Sequence, residues 1–246
     1  MSPDQIHLIF TPLRCSSEFA AELCQLLSTD EHERASRFRS DRLRDHFTVA
    51  RGMLRIILGR YAAISPGEIR FQQDRNGKPA LAGGASISFN LAHSDDLAVY
   101  AVASRKHIGV DIERVHVFDG MDQIARRYFC TAEYRDLVTI PEASRTAAFF
   151  RCWTRKEAFV KAMGEGLTCP LGRFEVTLEQ GSRAALAEVD GSAAVASHWS
   201  VYDVAPSDDY AAALITDGPK CPLRAWHFGT TAECAAYFSQ IHSTHS

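Results

Sequence analysis

Trp153-Thr154-Arg155-Lys156-Glu157-Ala158-Phe159-Val160-Lys161 and, upstream of it, Gly109-Val110-Asp111-Ile112-Glu113 are the two stretches on which the reading of this chain turns. In an extended strand, residues two apart share a face, so Asp111 and Glu113 project together while Ile108, Val110 and Ile112 point the other way. The second stretch lies in a run from Arg145 with no Gly or Pro before Gly164. That run predicts a helix of about five turns closed by the glycine. Trp153, Glu157 and Lys161 are four apart and stack along one side of it. Phe149, Cys152, Trp153, Phe159, Val160 and Met163 form a broad apolar stripe, with Glu157 and Lys161 at its edge. Packed against the 108–113 strand, the helix brings a third carboxylate to the first two. Three carboxylates from two elements, with a lysine one turn away, suit a Mg2+ that keeps positions open for phosphate oxygens. The same residues admit a plainer account, an i,i+4 Glu–Lys pair on a helix and a solvated acidic strand edge.

Working outward, hydrophobic patterning predicts a strand over 6–10 and helices over 17–28, 30–38 and 41–62, closed by Pro66-Gly67. Strands follow over 69–73, 86–90, 97–103 and 107–113, then helices over 121–128, 131–138 and 145–163. The last third returns to strands over 174–178, 199–204, 210–215 and 223–228. Helices then strands, twice over, is the order of an α+β fold rather than of alternating βαβ units. An internal echo points to duplication: Ser94-Asp95-Asp96-Leu97-Ala98-Val99-Tyr100-Ala101 is similar to Ser207-Asp208-Asp209-Tyr210-Ala211-Ala212-Ala213-Leu214. The stretch 181–197, rich in Ala, Gly and Ser, is expected to be a mobile loop or turn excursion. The last six residues are expected to fray, with idle histidines.

With 246 residues and 46% apolar content, the chain can bury a full core, as one large domain or as two half-sized ones. A net charge of -3 speaks against nucleic-acid binding. Seven cysteines, an odd number with no C-x-x-C, read as reduced thiols. The N-terminus has no apolar run led by basic residues and no segment reaches membrane-spanning length, so a cytoplasmic protein with no membrane partner is expected.

Taken together, the two opening stretches resemble the paired signatures of the 4'-phosphopantetheinyl transferases, in the longer form that activates peptide and polyketide synthetases. The match runs through Gly109 to Glu113 and Phe149 to Leu167, with Gly164 and Gly166 in the expected places. It is flanked by Glu33-Arg34 with Arg37-Phe38, by Asn76-Gly77-Lys78-Pro79, and by Ser88-Phe89-Asn90-Leu91-Ala92-His93-Ser94, in family order from about 30 to 175. The resemblance implies two similar α/β halves packed as a pseudo-dimer in one monomeric chain, 1–110 carrying coenzyme A nucleotide contacts and 111–246 most of the metal and catalytic residues. The implied activity moves phosphopantetheine from coenzyme A to a serine of an apo acyl, peptidyl or aryl carrier protein, releasing 3',5'-ADP. Polyketide, nonribosomal peptide or fatty acid synthesis are the pathways such a protein serves.

By resemblance, Mg2+ falls to Asp111, Glu113 and Glu157. Glu157 is the candidate base for the serine proton, Lys161 steadies the departing nucleotide, and Asp111 completes the catalytic group. Arg34, Lys78, Asn90, His93 and Lys161 are the expected coenzyme A contacts. Ala92 stands where many relatives carry serine, so one hydroxyl contact is missing. Glu133 matches a family acid and equally suits a helix start. Two rival readings use the same residues. One is a Mg2+-dependent phosphohydrolase whose carboxylates activate water; the other is a non-catalytic coenzyme A or carrier-protein binder, against which the intact set Asp111, Glu113, Glu157 and Lys161 speaks.

Overall fold

The computed structural model describes residues 5–73, 77–83, 87–104, 107–166, 169–179 and 183–239. Asn76, Leu167, the C-terminal histidines and the first position of the 86–90 strand expected above lie outside the described residues.

A first strand, β1 (Ile6–Pro12), is followed by α1 (Ser17–Gln25), α2 (Thr29–Ser36) and the long α3 (Asp41–Ala62). After a 3-10 turn at Pro66–Glu68 come β2 (Phe71–Gln73), β3 (Pro79–Leu81), β4 (Ser88–Ser94) and β5 (Leu97–Ala103). The order then repeats. It runs β6 (Ile108–Arg114), α4 (Met121–Tyr128), α5 (Thr131–Thr139), α6 (Glu142–Met163) and a 3-10 turn at Leu171–Arg173. Then come β7 (Phe174–Val176), β8 (Leu186–Val189), the short α7 (Ala193–Ala196), β9 (Trp199–Asp203) and β10 (Tyr210–Asp217). β11 (Leu223–His227) and α8 (Thr231–Ser239) finish the chain.

Among the described residues two main sheets result, one in the order β11-β1-β5-β4 and one in the order β6-β10-β9, beside the two-stranded pairs β2-β3 and β7-β8. Strand alternation gives each sheet two apolar faces. The inner faces meet through Leu8, Phe10, Val99 and Ala101 on one side and Ile108, Val110, Ile112 and Leu214 on the other. The outer face of the first sheet packs Ile9, Tyr100 and Val102 on Met53, Leu54 and Ile57 of α3. That of the second packs Ala211, Ala213, Ile215 and Val201 with Phe149, Phe159 and Val160 of α6. The α+β pseudo-dimer expected from the sequence is therefore the architecture found. Gly164 ends α6 at φ 75, as its position predicts.

Three expectations need correction. A division at 110/111 cuts β6, whose whole length pairs antiparallel with β10. The chain end also does not stay in the second half: β11 runs parallel to β1, and α8 sends Cys234, Ala235 and Phe238 into the α3 core. The 181–197 stretch holds β8 and α7 in its described part, because Leu186, Val189 and Ala196 find core positions despite the small residues around them. A tight turn at Asp190 (φ 50) and Gly191 (φ 76) leads from β8 toward α7. Among the described residues no helix is long and apolar enough to cross a membrane.

Candidate active site

The site is assembled where β6 passes beneath α6. Gly109 makes that approach possible: a Cβ there would stand 2.0 Å from the Ala158 carbonyl oxygen and 2.4 Å from the Ala162 nitrogen. Only a residue without a side chain lets the helix backbone lie directly on the strand. With Gly109 facing α6, alternation turns Asp111 and Glu113 toward the same helix, while Ile108, Val110 and Ile112 enter the core between the sheets. Lys161, on the last turn of α6, donates to Asp111 Oδ1 at 2.6 Å and to the Val110 carbonyl at 3.3 Å. The other Asp111 oxygen, Oδ2, is buried with no hydrogen-bond partner.

Burial pushes the Asp111 carboxyl above its ordinary value, against the pull of Lys161. Burial does the same to Glu157, with the Asp111 charge adding to it. Glu113 is raised first by burial and then by Asp111 and Glu157, while Ser94 pulls it back. Each carboxylate is thus raised by burial and pushed further by an acidic neighbour or held by a cation, the mark of acids gathered in one small volume. Among the described residues no three His, Cys, Asp or Glu side chains close into a metal-ligating group. Asp111 faces Lys161 and Glu113 faces Ser94 instead.

The edge strand β4 lies beside β6 and is stitched to it by side chains. Asn90 Oδ1 accepts from the Val110 N–H at 2.8 Å. Ser94 Oγ accepts from the Arg114 N–H at 3.0 Å and donates to Glu113 Oε2 at 2.7 Å. Asn90 is therefore placed at the seam between the halves, holding the strand that carries Asp111. Ser94, which sequence reasoning passed over, fixes Glu113 directly; its place four residues beyond Asn90, on the same strand face, is the signal that could have found it. Ala92, between them, is buried in the core between the sheets, where a methyl group suits its neighbours.

His93 points to the other side of β4 and is exposed. Partial burial of its ring, His46 and Lys161 together hold its pKa below the ordinary histidine value. His46 in turn lines a groove of about 840 Å³ between α1, α2 and α3, with Arg14, Arg42, Arg44 and His32 along its walls. His93 thus lies within electrostatic reach of both His46 at that basic groove and Lys161. Asp96 is held in the groove by Arg14 at 2.6 Å and His46 at 3.0 Å. Arg34 is exposed on α2 and stacks over Phe47 at 5.4 Å. Lys78 follows Gly77 (φ 86) and reaches the second half, donating to the Ile108 carbonyl at 2.6 Å and the Ala162 carbonyl at 3.4 Å. A cation there complements the C-terminal end of α6. On the far side of Glu113, an apolar cavity of about 280 Å³ is walled by Phe118, Ile124, Phe149, Phe150 and Trp153.

Glu133 is brought to none of these groups. It caps α5 through the Cys130 N–H at 2.8 Å, accepts from Val176 N at 2.8 Å, and pairs with the fully buried Lys156 at 2.8 Å.

Fold and site define a two-halved α+β protein with a carboxylate cluster at the seam of its halves and a basic groove in the first half. Residues 107–215 match the model of the 4'-phosphopantetheinyl transferase superfamily, and residues 12–105 match that of the 4'-phosphopantetheinyl transferase N-terminal region. The chain is 35% identical over 228 residues to the 4'-phosphopantetheinyl transferase HetI of a Nostoc species, covering 92% of this chain and 93% of that one. It is 28% identical over 182 residues to the transferase Sfp of Bacillus subtilis, covering 74% and 80% of the two chains. With psf-1 of Bacillus pumilus it shares 37% identity over 134 residues, 54% and 56% of the two lengths. The chain belongs to the 4'-phosphopantetheinyl transferase superfamily.

Proposed function

We propose that this enzyme transfers the 4'-phosphopantetheine group of coenzyme A to a serine of an acyl, peptidyl or aryl carrier protein, at the β4–β6 seam, with 3',5'-ADP as the second product. The observation that carries the reading is the buried Asp111 Oδ2 with no partner, set beside Glu113 and Glu157. A buried carboxylate oxygen without a donor is costly unless a cation meets it. An all-oxygen donor set with room for phosphate suits Mg2+, so Asp111, Glu113 and Glu157 are the residues that would hold it. When bound, the ion supplies charge neutralisation at the phosphate under attack.

The chain's own groups do the rest. Glu157, whose basicity burial and Asp111 raise, accepts the proton of the attacking serine hydroxyl. Lys161, already paired with Asp111, offers its ammonium to the leaving phosphate. The basic groove beside His46, together with Arg34, His93 and Lys78, takes the nucleotide end of coenzyme A. The apolar cavity beside Glu113 receives the pantetheine arm as it moves toward the carrier serine. Seven free thiols and a two-halved single chain fit a cytoplasmic monomer.

The test is intact-mass spectrometry of an apo carrier protein incubated with this enzyme, coenzyme A and Mg2+, with a chelator control. A gain of one phosphopantetheine mass, seen only with the metal, is expected. Release of pantetheine phosphate with an unmodified carrier would point to hydrolysis and overturn the transfer reading.

A further inference from the structure

A second cationic pocket lies on the opposite flank of the first half, where α3, β1, β11 and α8 converge. Its volume is about 270 Å³, and His7, Arg60, Tyr61, Arg224, Trp226 and Tyr237 line it. Arg60 stacks over Tyr237 at 4.8 Å and Arg224 over Trp226 at 4.7 Å. Stacking uses the faces of a guanidinium and leaves its in-plane N–H donors for an oxyanion. One of them, Arg60 Nη1, donates to the Tyr237 carbonyl at 2.8 Å. No carboxylate of the described residues forms an ion pair with either arginine, whereas the active-site Lys161 is paired with Asp111.

His7 forms the floor of the pocket and is 8% exposed. Its Nδ1 lies 2.6 Å from the Tyr61 hydroxyl and its Nε2 3.1 Å from Gln5 Oε1. Since the amide oxygen can only accept, Nε2 donates and Nδ1 accepts from Tyr61, leaving a neutral ring between two guanidinium groups. Burial, Arg224 and Arg60 hold its pKa down to about 4, in line with the cationic lining of the pocket.

We infer that this pocket is an anion site, separate from the transferase cleft, that binds a phosphate-type oxyanion between Arg60 and Arg224. An oxyanion there would accept charge-assisted bonds from both guanidinium edges.

The test titrates the full-length protein with inorganic pyrophosphate, without divalent metal, while following the His7 imidazole resonances, assigned by their loss in His7→Gln. A saturable shift at His7 is expected, with affinity at least tenfold weaker in Arg224→Ser, partly restored in Arg224→Lys, and transferase turnover unchanged in both. The His7 readout is local, so pyrophosphate held in the catalytic cleft does not imitate it. Absence of a saturable shift in the wild type, equal affinity in Arg224→Ser, or an equal response to acetate would each overturn the assignment.

Discussion

In the first half, Arg55 of α3 ties Glu31 at 2.7 Å to the carbonyls of Pro66 and Ile69. In the second half, Lys156 of α6 ties Glu133 at 2.8 Å to the carbonyls of Leu171 and Phe174. Each acid caps the helix before the long one, Glu31 through Ser28 and Glu133 through Cys130, and each carbonyl pair begins at a 3-10 turn. Arg55 and Lys156 are thus equivalent positions, and counting along the two 22-residue helices places Ile56 opposite Glu157 and Arg60 opposite Lys161. The strands agree. β1 pairs Ile9 with Tyr100, and β6 pairs Asp111 with Ala213. Tyr100 and Ala213 are matched in the echo of Ser94 to Ala101 with Ser207 to Leu214, so Ile9 answers to Asp111, Thr11 to Glu113 and His7 to Gly109.

The difference separates what folds the protein from the cluster to which we assign its chemistry. The lock of a buried cation, a capping carboxylate and two carbonyls is present in both halves, so it belongs to the scaffold. Among the described residues the carboxylate cluster is present only in the second; in the first, its counterparts Ile9 and Ile56 are ordinary core residues. The first half has room for an imidazole at the place where the second brings helix backbone onto strand backbone.

Gly109→Ala should have the largest effect, because the added methyl meets two backbone atoms that belong to α6. A loss of about 3 kcal/mol or more in denaturant unfolding is expected, with transfer activity below detection. Unchanged stability and turnover would remove the contrast between the two helix–strand contacts. Glu157→Gln should leave unfolding as it is and lower turnover about 10²- to 10⁴-fold, the range for loss of a proton acceptor. Near-normal turnover would sink the assigned role.

Lys156→Met strands the buried Glu133 and should cost about 3–5 kcal/mol, whereas Arg55→Met leaves Glu31 still paired with Arg51 and should cost less. If Lys156→Met spared stability and removed only activity, the equivalence of the two locks would fall. Ser94→Ala, which frees Glu113, should cost about tenfold in kcat/KM, roughly the worth of one hydrogen bond to a charged group. Ser94→Thr should recover part of it. A change in thermal stability alone, at full kcat/KM, would make Ser94 a stitch between halves and nothing more.

Most of this contrast was legible in the sequence on the catalytic side. Gly109, Asp111, Glu113, Glu157 and Lys161 sit at spacings that period-2 and period-3.6 geometry convert directly into faces. The scaffold side was harder to read, because Lys156 and Arg55 look like surface cations until tertiary packing buries them. Their partners were the better clue, since Ser28 to Glu31 spells a capping box. α8 was missed although Thr230 and Glu233 form reciprocal cap hydrogen bonds at 3.1 Å, a pattern available from the sequence alone. The assignment of β11 and α8 to the first half depends on a strand pairing between the two ends of the chain, which no local signal encodes. Asn90 shows the limit of motif reading: the motif marks it as important, and the fold places its oxygen on Val110.

The smallest expected effect tests His7, the residue opposite Gly109. The unfolded chain binds a proton at the ordinary value of 6.5, and the folded chain only near 4. Between these values the unfolded state holds more protons, so stability is present above the window and is lost as pH falls through it. The loss should amount to about 1–3 kcal/mol across the window. His7→Gln should flatten that slope, read as the urea midpoint at pH 6.5 and at pH 4.5, while Gln keeps a polar group against Tyr61. A slope identical to the wild type would show that the imidazole is not held neutral by its surroundings. The first half would then tolerate charge at this position as freely as solvent does, and the contrast with the tightly closed Gly109 would rest on shape alone.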